Sequence, residues 1–162
     1  MDRRTVIAGL LAGAAAGGEA AAQAPPPGRR IVEQFAATLT AHDIAAFAAL
    51  FAEDYVNHQT SAAAPPPAPG VPPKQATVGF FAGRLKGLPD LSVAIEAMVA
   101  ADDKVAASFV YAGTQDGPYL GVPPTGKTLR FTSCDIFRIR DGLIAEHWGM
   151  GDIAGTLAQM KG

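Results

Sequence analysis

The stretch DIFRIRDGLIAEHW, Asp135 to Trp148, reads as two strands that turn over at Arg140-Asp141-Gly142. Apolar and polar residues alternate on both sides of the Asp-Gly pair, the pattern of a hairpin with one buried face. Two registers are open. A two-residue loop sets Ile136 against His147 and leaves charged side chains on both faces. A three-residue loop, with Gly142 left-handed, sets Asp135 against His147 and runs Phe131, Ser133, Asp135, Phe137, His147 and Gly149 along one face. Thr132, Arg138, Arg140 and Glu146 then collect on the other. A half-buried sheet demands that segregation, so the three-residue loop is the expectation.

Working outward, the period of two extends over strands at 128–140 and 143–150, and back to 105–115 and 91–100 across the turn at 101–104. Segment 116–127 is rich in Gly and Pro and reads as a loop. Before Asp90 the period changes to that of a helix. Ile31, Phe35 and Leu39 form one stripe; Asp43 caps a second helix with Ile44, Phe47 and Phe51 on one face; Val78, Phe81 and Leu85 mark a third over 74–86. Six prolines between Ser61 and Pro73 make that stretch a loop, either a lid or a passive insertion. A short helix over 153–160 ends the chain. Helices first and strands after predict an α+β domain in which three N-terminal helices pack on one face of a curved, four-stranded antiparallel sheet.

The chain has 162 residues, 13 basic and 15 acidic side chains and a net charge of -2, which describes one domain with no electrostatic footprint for nucleic acid. Three His and the single Cys134 offer no zinc spacing and no internal disulfide, so no metal is expected. Residues 1–24 have the three parts of an export signal. Arg3-Arg4 precede an apolar run of 13 residues, Val6 to Gly18, and Ala22-Gln23-Ala24 supplies the cleavage site. The run is too short for a spanning helix of about 20 residues. The paired arginines resemble a twin-arginine signal, although Asp2 and the lack of a following Phe depart from it. These features predict export to the periplasm, no membrane association after cleavage, a Pro-rich leader at 25–30 and a domain at 31–162.

The hairpin also carries the chemistry. A desolvated Asp135 beside His147 holds one ring nitrogen and frees the other to move protons; the plain structural alternative is that the two satisfy each other in the core. Ser133 and Gly149 leave space at that end of the sheet. Tyr55, Asn57, His58 and Gln59 supply polar groups after the second helix, with Asn57 the first choice and Gln59 the last, against the alternative of a capped, solvated turn. Gly121 to Thr128 matches the phosphate-loop pattern but offers Pro123 and Pro124 where backbone N–H groups are needed, and a strand follows it. It is therefore read as the closure of one end of a pocket, with Tyr119 and Leu120 pointing in. Trp148 falls on the opposite face of the sheet, as an anchor for a second subunit.

The strings DYVNHQ (Asp54 to Gln59), PYLGVPPTGK (Pro118 to Lys127) and DIFRIRDGLIAEHW together resemble the SnoaL-like polyketide cyclase or ester cyclase family of the nuclear transport factor 2-like superfamily, over about residues 31–160. The resemblance implies a cone-shaped fold, a pocket between sheet and helices, a homodimer and chemistry without metal or cofactor. It also implies a proton-shuttling carboxylate two residues beyond His147, where this chain has Gly149. Two functions follow as expectations. One is a cofactor-independent acid/base enzyme of cyclase, isomerase or hydratase type acting on an apolar small molecule, with His147 as base, Asp135 as orienting carboxylate, and Asn57, Tyr55, Ser133, Phe137 and Tyr119 around the substrate. The other is a non-catalytic binding or dimerisation module.

Overall fold

Ile31, Phe35 and Leu39 repeat at helical spacing, and the residues between them place a further apolar position, Val32, on the same side. In the computed structural model, which describes residues 27–59 and 66–162, this becomes α1 (Pro27–Thr40). Its buried stripe is Val32, Phe35, Ala36 and Leu39. The helix begins at Pro27, inside the segment read as a leader, because proline's fixed φ suits the first turn. The expected signal, 1–24, lies outside the described residues. Asp43 caps α2 (Ile44–Ala49) by accepting a hydrogen bond from the Ala46 N–H at 2.9 Å.

The chain then departs from expectation. Phe51–Asn57 is a strand, β1, not the end of a helix and a turn. Its burial runs two in, two out, one in, because the pairing with its neighbour is irregular between Phe51 and Val56, and the broken alternation hides a strand from a period-two reading. α3 (Pro73–Gly87) follows, then β2 (Ser92–Ala101), β3 (Lys104–Thr114), β4 (Thr128–Arg140), β5 (Leu143–Gly151) and α4 (Ile153–Lys161). The sheet has five strands in the order β1-β5-β4-β3-β2. β1 lies parallel to β5, so the four-stranded, wholly antiparallel sheet of the sequence reading is corrected to a mixed one.

Both registers proposed for the β4–β5 hairpin are corrected as well. Asp141 and Gly142 have φ of 52° and 75°, a two-residue turn with both positions left-handed. Arg140 faces Leu143 and Ile139 faces Ile144; then Ala145 is bulged, and from Arg138–Glu146 onward the pairing shifts by one. The bulge restores the face parity that the three-residue loop was invoked to give. Phe137 stands opposite His147 and Asp135 opposite Gly149, so Asp135 is diagonal to His147, not across from it.

The inner face carries Val105, Phe109 and Tyr111 from β3, Leu129, Phe131 and Phe137 from β4 and Ile144 from β5, against Phe35, Phe47 and Phe81 from the helices. Phe35 touches four other phenyl rings at centroid distances of 5.1–5.4 Å. Each such pair adds about 0.5–1.5 kcal/mol beyond area burial. Among the described residues no helix is long and apolar enough to cross a membrane.

Candidate functional site

At one end of this core the apolar lining gives way to a polar chain. Asp135 on β4 and His147 on β5 are 5% and 3% exposed. His147 Nε2 and Asp135 Oδ1 are 2.8 Å apart, and Ser133 Oγ donates to Asp135 Oδ2 at 2.5 Å. The other ring nitrogen, Nδ1, faces Tyr55 Oη at 3.3 Å. Burial first, with a contribution from the Asp135 charge and against the Thr77 hydrogen bond, pushes the Tyr55 phenol well above its ordinary value. Tyr55 therefore keeps its proton, and in the arrangement where it donates to Nδ1 the ring carries its own hydrogen on Nε2, facing Asp135 Oδ1. Phe137 lies flat against the imidazole at 4.9 Å and 11° and fixes the ring plane.

This geometry unites most of the expected residues but redistributes their parts. Both imidazole nitrogens are engaged within the protein, whereas the carboxylate, with about four acceptor sites, still has two to offer. Phe137 is fully buried beneath the imidazole. Asn57 is used locally: its amide donates to Thr77 Oγ1 at 3.3 Å and its oxygen accepts from the Gln59 N–H at 2.9 Å. Tyr119 is buried, and its hydroxyl accepts from Arg84 Nε at 3.0 Å. Gln115 Nε2 donates to the carbonyls of Gly117, Val122 and Pro123, and its Oε1 accepts from Thr125; the loop so folded leads into β4.

The polar chain borders a pocket lined by Gln59, Phe80, Arg84, Tyr111, Ser133, Asp135 and His147, among others, with a free volume of about 20 Å³. Gln59, ranked last from sequence, lines it, and Arg84 was not singled out at all. The available signal for Arg84 was its spacing: Thr77, Phe81, Arg84 and Leu88 are buried at i, i+4, i+7 and i+11, one position round the helix from the stripe Val78, Phe81, Leu85. The Tyr111 phenol is pushed up to about 12, by burial first, against the opposing influence of Arg84. Among the described residues no group of three His, Cys, Asp or Glu is placed to hold a metal ion.

Gly149 explains how this cluster fits. A Cβ there would stand 2.3 Å from Asp135 Oδ1, 2.7 Å from His147 Nε2 and 2.8 Å from Gln59 Oε1. The volume that a side chain at 149 would fill is taken by the Asp135–His147 contact itself.

A curved five-stranded mixed sheet whose concave face, roofed by helices, ends in a small polar pocket defines an α+β protein of the nuclear transport factor 2-like class. Within that class the chain belongs to the SnoaL-like polyketide cyclase family, whose model matches residues 29–160. Among solved structures it is similar to the candidate polyketide cyclase IdmH of Streptomyces antibioticus, at 29% identity, covering 84% of this chain and 99% of that one, with a TM-score of 0.71. It is also similar to TsrD of Streptomyces laurentii, at 27% identity, 83% and 94% coverage and a TM-score of 0.70. A SnoaL-like protein of Jannaschia, at 22% identity, 83% and 91% coverage and a TM-score of 0.68, shares the fold. A search of curated proteins gave no match.

Proposed function

We propose that this chain binds a small carbonyl compound in the pocket and moves a proton at the carbon next to the carbonyl, in a cyclase- or isomerase-type reaction, with Asp135 as the base. The observation that carries the reading is the chain Ser133–Asp135–His147–Tyr55, desolvated at the pocket wall. His147 is a positioning residue here: its Nε2–H orients Asp135, and Tyr55 fixes its tautomer. This reverses the parts expected from sequence, where His147 was the base.

Gly149 supports the same reading. The family resemblance places a proton-shuttling carboxylate at 149, and here Asp135, directly across the hairpin, sends its Oδ1 into the space a side chain at 149 would occupy. In this proposal a carboxylate has changed strands while keeping its place in the pocket. Export through residues 1–24 and a homodimer belong to the same proposal. One observation favours the second reading, a non-catalytic module: the free volume holds one water, which needs about 10–15 Å³, and nothing larger unless Phe80 or Gln59 moves.

The test is deuterium exchange at the α-carbons of acetone and cyclopentanone in D₂O, followed by NMR with the mature protein. Acceleration over buffer supports the enzyme. Rates equal to buffer for both ketones would leave the binding module as the better account.

A further inference from the structure

Arg84 is a permanent charge in an apolar wall. It is 7% exposed, and its guanidinium carbon lies 4.5–5.4 Å from the ring centroids of Phe80, Phe81, Tyr111 and Phe131. Its Nε donates to Tyr119 Oη at 3.0 Å, the Tyr111 phenol is a second hydrogen-bonding neighbour, and among the described residues the group forms no ion pair. Asp135 lines the same pocket, but its hydrogen bonds run to His147 and Ser133 and none joins it to Arg84. Aromatic faces offset part of the cost of burying a guanidinium. They give its forked donors, which match a planar pair of oxygens, no carboxylate partner.

We propose that Arg84 is an oxyanion-binding residue and that the pocket, once Phe80 or Gln59 swings aside, takes a planar organic monoanion, either a carboxylate or the enolate formed when a ketone loses its α-proton. The flanking rings favour a flat, delocalised group. Asp135 when ionised already balances the one cation, so an anion is taken up together with a proton on Asp135, which admits a single negative charge and disfavours phosphate or sulfate. This assignment rests on the same pocket as the proton-transfer reading and names its electrophile. In that step the C–H bond breaks, its proton passes to Asp135, and the electron pair moves through the new C=C bond onto the carbonyl oxygen facing Arg84. The charge of the pocket with its substrate is the same before and after.

The experiment follows the Tyr111 ring and the Ser133 and Gly151 backbone amide resonances, which line the pocket in wild type and variants alike, while acetate, and separately acetamide, is titrated into the mature protein, and measures acetone exchange on the same samples. Wild type is expected to show a saturable shift with acetate and none with acetamide. Arg84→Met should lose acetate binding, and Arg84→Lys, which keeps the charge but not the fork, should bind it and exchange acetone at least tenfold less well, with the dispersed spectrum of a folded protein. Exchange that depends on Arg84 without acetate binding supports the enolate as the occupant. Equal acetate affinity in wild type and Arg84→Met overturns the proposal. So does an absence of acetate binding together with wild-type exchange in Arg84→Lys, an outcome that leaves the proton-transfer reading standing. Acetate binding that depends on Arg84 in a protein without exchange keeps the anion site and removes proton transfer.

Discussion

Gly149 is where a single missing side chain organises the site. Its Cα faces Asp135 across the hairpin, and the nearest atoms to a Cβ would be a carboxylate oxygen, a ring nitrogen and an amide oxygen, none nearer than 2.3 Å and none farther than 2.8 Å. Real Cβ contacts do not come so close, so Gly149→Ala must push Asp135 off His147. The expected cost is about 1–3 kcal/mol in a urea titration, with loss of any ketone exchange. A variant of wild-type stability and wild-type exchange would show that the dyad does not need this space. Asp135 and His147 were legible from sequence because alternation puts both on the buried face, where a charged side chain stands out. Arg84 was not, since an arginine in a helix is ordinarily solvent-facing, and only a stripe centred on Thr77 and Phe81 turns it inward.

Among the elements, β2 to β5, α1 and α4 were legible because each has a period and a turn at its end, whereas α3 was legible from its bounds, Pro73 and Gly87-Leu88-Pro89, its apolar residues being spread round the helix. β1 was not. It runs parallel to β5, and parallel pairing leaves no hairpin turn in the sequence to announce it. The hairpin register was half legible: face parity is a property of composition, but a bulge at Ala145 that reconciles a two-residue turn with that parity has no local signature. The loop between β3 and β4 shows the same limit. Its proline content marked it as irregular, while the residue that shapes it, Gln115, is fully buried at the end of β3 and bonds four loop residues at once. Gln115→Ala strands those carbonyls and is expected to cost about 2–4 kcal/mol, lowering Tm by several degrees in calorimetry. Because the loop seats Tyr119 against Arg84, the Arg84 Nε–Hε resonance should move in the same variant. An unshifted resonance and an unchanged Tm would remove Gln115 from both parts.

Across the whole molecule, helices cover the inner face of the sheet, and the outer face leaves Val99, Ile136 and Met150 exposed. Trp148, expected on that outer face as a subunit anchor, stacks on His58 at 4.4 Å within the chain. The concentration of phenols inside has a consequence for alkaline stability. Tyr55 and Tyr111 are both raised by burial, Tyr111 to about 12. Below pH 10 both are protonated folded or unfolded. Above it the unfolded chain releases protons the folded one retains, so stability falls as pH rises through the Tyr111 value. The urea midpoint should therefore decline from pH 10 upward, and less steeply in Tyr111→Phe; an identical slope in that variant would contradict the assignment.

The proton-transfer reading stands or falls on Asp135 as the working carboxylate of this pocket. The direct measurement is the rate of acetone α-proton exchange in D₂O for wild type and Asp135→Asn, an isosteric change that keeps partners for His147 and Ser133. Wild-type acceleration should fall by about 10²–10⁴ in the variant, with an unfolding midpoint that changes little by comparison. Acceleration of equal size in Asp135→Asn would contradict that reading.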